Sequence, residues 1–186
     1  MEQMQVRALM RPVEDFDRIS SRASLLEAVE ALERAQEEFL SGRAKQNILL
    51  VEDRGGRILG KISPMDVMQG LEPSYSEIDD LKSGTHHGLT SSMLESMKAR
   101  LRLWEKPLAE LCRKACSVHI ERFVCLPKPD HTVKADDTMD KALHLFVVGR
   151  HDSLFVREGE KIVGLVRFSD VYRKIAQAMK ECPLTR

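Results

Sequence analysis

Apolar and polar positions recur along this chain in two matching stretches. Residues 47–70 read NILLVEDRGGRILGKISPMDVMQG, and residues 152–174 read DSLFVREGEKIVGLVRFSDVYRK. Each has an apolar run, a turn rich in glycine and charge, a second apolar run holding a glycine, and an aspartate that opens an amphipathic stretch. Gly60 matches Gly164 and Asp66 matches Asp170, both pairs 104 positions apart. Self-similarity at a fixed offset marks two copies of one supersecondary unit. Aliphatic and β-branched runs bounded by turn residues predict strands over 48–51, 58–62, 154–156 and 162–166. Arg54-Gly55-Gly56 and Glu158-Gly159-Glu160 supply the tight connections.

A helix signal precedes each hairpin. Ser24 stands ahead of LLEAVEALERA and Thr138 ahead of MDKALHLFVV, each a residue that favours the N-cap. Leu25, Val29 and Leu32 repeat at helical spacing, as do Met139, Leu143 and Phe146. Short strands are expected around 17–20 and 132–134. About ten extra residues in the first copy, 37–44 among them, lengthen its helix or the loop that follows, so the helix starts are 114 positions apart. The order in each copy is strand, helix, strand, turn, strand, helix, an α/β unit too small to hide its sheet alone. The expected division is a first domain over 1–72, a linker over 73–117 and a second domain over 118–186.

The linker differs in pattern. Residues 74–92 are polar and read as a loop. Ser92 with Glu95 fits a capping box for a helix near Met93. Met97, Leu101, Trp104, Leu108, Leu111 and Ala115 then form one apolar stripe, broken or kinked at Pro107. That stripe either packs on the protein's own core or offers a surface to a second copy or an effector.

Composition narrows the function classes. Over 186 residues, 29 Lys+Arg balance 29 Asp+Glu, which leaves no cationic surplus to displace counterions from nucleic acid. No apolar run approaches the roughly 20 residues that span a bilayer, and the charged first twenty residues lack an export signal. The expectation is a soluble, cytoplasmic protein with no nucleic-acid or membrane partner, its four cysteines reduced.

Candidate chemistry concentrates where the second strand of each copy meets its last helix. In Gly60-Lys61-Ile62-Ser63-Pro64-Met65-Asp66, Ser63 fits the N-cap, Pro64 the first helical position and Asp66 the third. A capping box explains this fully. The same placement also makes an anion site, with free N–H groups beside a hydroxyl and a carboxylate able to accept from a ribose cis-diol. The second copy has Arg167 where the first has Ser63, in Gly164-Leu165-Val166-Arg167-Phe168-Ser169-Asp170. Arginine cannot cap a helix start. Arg167 is either an exposed strand-end residue or a bidentate phosphate ligand.

The arrangement resembles the cystathionine-β-synthase-type (CBS) domain, present as the tandem pair called a Bateman module. The likeness spans about 6–71 and 118–180, and rests on a terminal pattern of Gly, two residues, Ser or Thr, two residues, Asp. GKISPMD fits that pattern, whereas GLVRFSD departs from it at Arg167. The resemblance implies two β-α-β-β-α units packed as a pseudo-twofold pair with an inserted helical linker, and two clefts that take AMP, ADP, ATP or S-adenosylmethionine as a regulatory ligand. Carried over by position, Asp66 and Asp170 would hold ribose hydroxyls, and Ser63 with the helix start would hold phosphate. The residues entering the hairpins, Asn47 in the first and His151 with Ser153 in the second, would border the base. Ile19, Ile62, Val133 and Val166 would supply apolar walls. Pairing into a homodimer and an unknown effector protein are implied too.

Other chemistry is thinner. Cys112, Cys116 and His119 share one face if their helix runs that far, which leaves a metal or thiol sensor as one alternative. A scaffold with vacant clefts is another. His86 and His87 lie in a polar loop. No nucleophile elbow, P-loop, H-E-x-x-H or G-x-G-x-x-G is present. A regulatory protein is expected, with no catalytic residues, catalytic cofactor or metal.

Overall fold

The computed structural model describes residues 4–41, 48–72, 74–75 and 90–181. The chain forms two compact units, one of Asp17–Cys125, called here the repeat-one unit, and one of Met1–Phe16 with Leu126–Arg186, the repeat-two unit. This division differs from the contiguous one expected over 1–72, 73–117 and 118–186. The linker belongs to the first repeat, and the amino-terminal arm belongs to the second.

The repeat-one unit has a three-stranded sheet, β2 (Arg18–Ser20), β3 (Leu49–Glu52) and β4 (Ile58–Ile62), in the order β2-β3-β4. The β2–β3 pair is parallel and β3–β4 antiparallel. Helices α1 (Leu25–Leu40) and α2 (Pro64–Leu71) pack on it. Ser24 starts α1 through a capping box: its N and Oγ donate to Glu27 Oε2 at 2.6 and 2.8 Å, and Glu27 N donates to Ser24 Oγ at 3.2 Å. The extra residues of the first copy lengthen α1 as far as Leu40; those over 42–47 lie outside the described residues. Leu25, Ala28, Leu32 and Ala35 line the buried face of α1 and meet Ile19, Leu49, Val51, Ile62 and Val67 in one core.

The repeat-two unit repeats this plan and adds a strand. Strands β5 (Thr132–Lys134), β6 (Ser153–Glu158) and β7 (Lys161–Arg167) join β1 (Arg11–Pro12) in the order β1-β7-β6-β5. Helices α5 (Met139–Gly149) and α6 (Phe168–Glu181) follow the expected places. Met139, Ala142 and Phe146 pack with Val133, Leu154, Val156, Val166 and Val171. Thr138 stands at the N-cap of α5 but makes no side-chain cap bond. The arm takes over that task, and Met139 N donates to Met4 O at 2.9 Å.

This arm explains the glycine shared by the repeats. β1 lies antiparallel on β7 with Arg11 opposite Leu165 and Pro12 opposite Gly164. In the repeat-one unit Cys125 lies the same way on Lys61, with N–H···O bonds of 3.1 Å in both directions. A Cβ on Gly164 would collide with the Arg11 carbonyl oxygen, and one on Gly60 with that of Cys125. The likeness extends to the helix starts. Gln5 bridges to Thr138 and His119 to Ser24; Met139 N donates to Met4 O and Leu25 N to Val118 O. Arms 114 residues apart in sequence thus do equivalent work, and each lies in the unit of the other's repeat.

The linker gives helices α3 (Ser91–Leu101) and α4 (Leu108–Ala115). The cap of α3 is Thr90, whose Oγ1 accepts from Met93 N at 3.3 Å, not Ser92 as expected. Ser92 instead lies within the first turn, where its carbonyl accepts from Ser96 Oγ. The helices break before Pro107, but the apolar stripe does not survive the break. Arg102 and Trp104 adopt positive φ of 52° and 62°, which turns Leu103 inward and leaves Trp104 and Leu108 exposed. Ala115, with Val118 and Ile120 beyond it, completes the repeat-one core.

No helix among the described residues is long and apolar enough to cross a membrane.

Candidate functional site

Both aspartates stand where expected, at the start of the last helix of each repeat, but their surroundings differ. In the repeat-one unit β4 ends at Ile62, Ser63 turns out of the sheet in an extended conformation, and Pro64 opens α2 with its φ already fitted to a helix. Ser63 N and Oγ both donate to Asp66 Oδ2, at 2.7 and 2.6 Å. This is the capping box the sequence allows. Ser63 and Asp66 are half-buried, so a neutral hydroxyl, a carboxylate and the first N–H groups of α2 gather at one partly open corner.

In the repeat-two unit Asp170 is buried and bound by two guanidinium groups. Arg167, the last residue of β7, approaches side-on, its Nε 2.9 Å from Oδ2 and its Nη2 2.9 Å from Oδ1. Arg11, carried in by β1, places Nε 3.2 Å from Oδ2. Arg173 lies at 3.8 Å and is largely exposed. Burial raises the pKa of Asp170, but the hydrogen bonds and charges of Arg167 and Arg11 outweigh it and hold the carboxyl below its ordinary value. Asp170, expected to hold ribose, and Arg167, open to a phosphate role, meet here in an ion pair that ties the arm, the strand end and the helix start together.

Other expected residues are placed as follows. Ile19 and Ile62, expected as apolar walls, lie in the repeat-one core, and Val133 and Val166 in the repeat-two core. Their strand positions put them on the apolar face of each sheet. Ser153 is fully buried and its Oγ donates to Asp152 Oδ1 at 2.9 Å. His151 is half-buried, stacks on His131 with ring centroids 4.0 Å apart and hydrogen-bonds the Asp130 carbonyl through Nε2. His131 in turn bonds the Ser153 carbonyl at 2.8 Å. Asn47, His86 and His87 lie outside the described residues.

The face shared by Cys112, Cys116 and His119 does not form. Helix α4 ends at Ala115, and His119 Nδ1 bonds the Arg22 carbonyl at 2.9 Å. Among the described residues no group of three or more metal-ligating side chains converges.

Two features escaped the sequence. Arg11 is one, since 159 residues separate it from Asp170 and a two-residue strand leaves no periodic trace. A cavity of about 550 Å³ between α1 and α2 is the other, lined by Val29, Leu32, Glu33, Gln36, Glu37, Pro64, Val67 and Met68. It adjoins the Ser63 corner through Pro64.

Two small sheets, each flanked by helices and built from repeats ending in a glycine strand and an aspartate-led helix, define a tandem-repeat α/β architecture. Residues 124–177 match the family model of the CBS domain. The structure of CBSX2 in complex with AMP is similar, with 15% identity, 94% of this chain and 98% of that chain covered, and a TM-score of 0.57. A CBS domain-containing protein of unknown function from Bacillus anthracis str. Ames Ancestor has 15% identity, 95% coverage of both chains and a TM-score of 0.57. The cytosolic domain of the Mg2+ channel MgtE in complex with ATP has 15% identity and a TM-score of 0.52, with 93% of this chain and 49% of that chain covered. No curated protein matches the sequence. The chain has the fold of a tandem CBS-domain protein, and its second repeat carries the CBS domain that the family model recognises.

Proposed function

We propose that this chain is a regulatory CBS pair that binds an adenosine-containing ligand at the Ser63–Asp66 corner of the first repeat. The observation that carries this reading is the contrast between the aspartates. Asp66 is half-buried, and the capping bonds it accepts from Ser63 N and Oγ come from neutral donors, exchangeable against ribose hydroxyls at a cost near that of a cap, about 1 kcal/mol. Asp170 is held by two cations, and displacing them for a neutral diol is unfavourable. In this reading Asp66 takes the ribose hydroxyls, while Ser63 and the start of α2 face the phosphate. The AMP complex of CBSX2 and the ATP complex of the MgtE cytosolic domain support the ligand class. S-adenosylmethionine shares the ribose but lacks the phosphate, so the same corner holds it less tightly.

Ligand binding then biases the equilibrium between conformations of the module, in proportion to the difference in affinity for them, and a partner polypeptide reads the result. Self-association into a homodimer belongs to the same proposal, with light scattering as its measurement.

The test is a thermal-shift panel of AMP, ADP, ATP and S-adenosylmethionine on the parent protein, Asp66→Asn and Asp170→Asn. A ligand at about 100 times its Kd adds about 2.7 kcal/mol. We expect a nucleotide shift in the parent and in Asp170→Asn, and none in folded Asp66→Asn. No shift with any nucleotide, or an equal shift in Asp66→Asn, overturns the reading.

A further inference from the structure

We propose that the repeat-two unit carries a second, separate site, for an oxyanion of the phosphate class, in a cavity of about 320 Å³ whose polar lining is Thr132, Lys134, Asp137, Lys141, Arg157 and Glu160, beside an apolar wall of prolines and Val133. The cavity lies at the hairpin end of β6 and β7. Asp170 belongs to the other end, since Ser153 pairs with Arg167 there while Glu158 pairs with Lys161 at the turn. Five residues of strand, about 17 Å, separate the two ends.

Three cationic residues face this cavity from three elements. Lys134 closes β5 and stands opposite Arg157 of β6 in the parallel register, and Lys141 lies in the first turn of α5. Lys141 Nζ donates to both oxygens of Asp137 at 2.9 and 2.8 Å, and Lys134 N donates to Asp137 Oδ2 at 2.7 Å. Burial raises the pKa of Asp137, but these bonds and the two lysine charges outweigh it, so the carboxylate stays ionised and is offset where it lies. An ammonium has three protons, and Lys141 retains one beyond those two bonds. Arg157 is less fully satisfied. Its Nη2 reaches Glu160 Oε2 at 2.7 Å, but the Glu160 side chain is 94% exposed, and a surface pair of that kind contributes little. Its Nε is buried without a hydrogen-bond partner, a state that folded proteins rarely leave uncompensated. A guanidinium fork beside two ammonium-bearing residues matches an oxyanion in charge and in donor geometry.

The first repeat provides an internal control. Its β2 pairs Ser20 with Glu52 at the register where β5 pairs Lys134 with Arg157. Three residues beyond the N-cap it has Glu27, where the second repeat has Lys141. Ser20, Glu27 and Glu52 thus stand in place of three cations, and the same strands and helix form. The fold therefore does not require Lys134, Lys141 and Arg157 at these positions, and a ligand particular to the second repeat accounts for them.

The test titrates inorganic phosphate, and methyl phosphate in parallel, against sodium chloride at equal ionic strength, following the amide signals of Lys134, Gly159 and Glu160 in 1H–15N spectra. We expect saturable shifts with phosphate. Affinity should fall roughly tenfold or more in Arg157→Gln. It should fall about threefold in Lys134→Ser, which borrows the first repeat's residue at an exposed position and preserves the fold. Asp66→Asn should bind phosphate at these amides like the parent, which separates this site from the nucleotide corner. Tighter binding of methyl phosphate points to an esterified ligand, and tighter binding of inorganic phosphate to the free ion. Shifts that chloride reproduces, or unchanged affinity in folded Lys134→Ser and Arg157→Gln, overturn the site.

Discussion

Replacing Asp170 by alanine removes the common partner of Arg167 and Arg11. The Asp170 side chain is 7% exposed and that of Arg167 14%, so the substitution takes a nearly buried carboxylate away from a nearly buried guanidinium. For a fully buried pair such a loss costs about 3 to 5 kcal/mol. Arg11 is 35% exposed and can turn to water, which places the expected loss near the lower end, about 3 kcal/mol. For a chain of this size that is a fall of roughly 6 to 12 °C in Tm. The sign with pH follows from the lowered pKa of Asp170. A carboxyl depressed in the folded state contributes fully above its unfolded value of about 3.9, and loses that contribution as pH falls through the folded value. Urea unfolding followed by circular dichroism should therefore separate the parent from Asp170→Ala by the full amount at pH 7, and by progressively less below about pH 4. A difference under about 0.5 kcal/mol at pH 7, the range of neutral surface changes, would refute the ion-pair assignment. A difference that persists undiminished in acid would refute it too.

Other expectations follow from the same geometry. Gly60→Ala drives a Cβ into the Cys125 carbonyl and to 2.8 Å from Val124 Cγ2, and should cost about 1 to 3 kcal/mol in urea unfolding, whereas Gly55→Ala meets only Asp53 Oδ1 at 3.3 Å and should cost less. Ser24→Ala removes the hydroxyl from the α1 capping box and should lower stability by about 1 kcal/mol by the same measurement. Cys112 and Cys116 are exposed and Cys125 only half so, and timed alkylation read by mass spectrometry should label the first two before the third.

Much of the fold was legible because each repeat carries its local signals twice. Strand β4 runs over 58–62 as its aliphatic pattern predicts, and β5 over 132–134. Ser24 caps α1 because a serine followed three residues later by Glu27 is a purely local device. Signals that depend on distant partners were not legible. The arm holding Arg11 has no pattern of its own, and only the tertiary structure brings it to Gly164 and Asp170. The same holds for Cys125 on Lys61, though the paired glycines were its one visible trace. In the linker, regular spacing from Met97 to Ala115 suggested a continuous face, but positive φ at Arg102 and Trp104 reset the helical phase before Leu108. At the site, the repeat puts Asp66 and Asp170 at their helix starts and allows the Ser63 capping box, but gives no hint that two arginines would bind Asp170.

The proposed nucleotide site lies at the first repeat and not at the aspartate of the second. Its most direct measurement is a titration of the isotopically labelled protein with ATP, read at the backbone amides of 63, 65–68 and 168–171. Saturable changes are expected at Ser63, Met65 and Asp66 while the Asp170 region stays still. Changes centred on Asp170 with the Ser63 corner unmoved would contradict it.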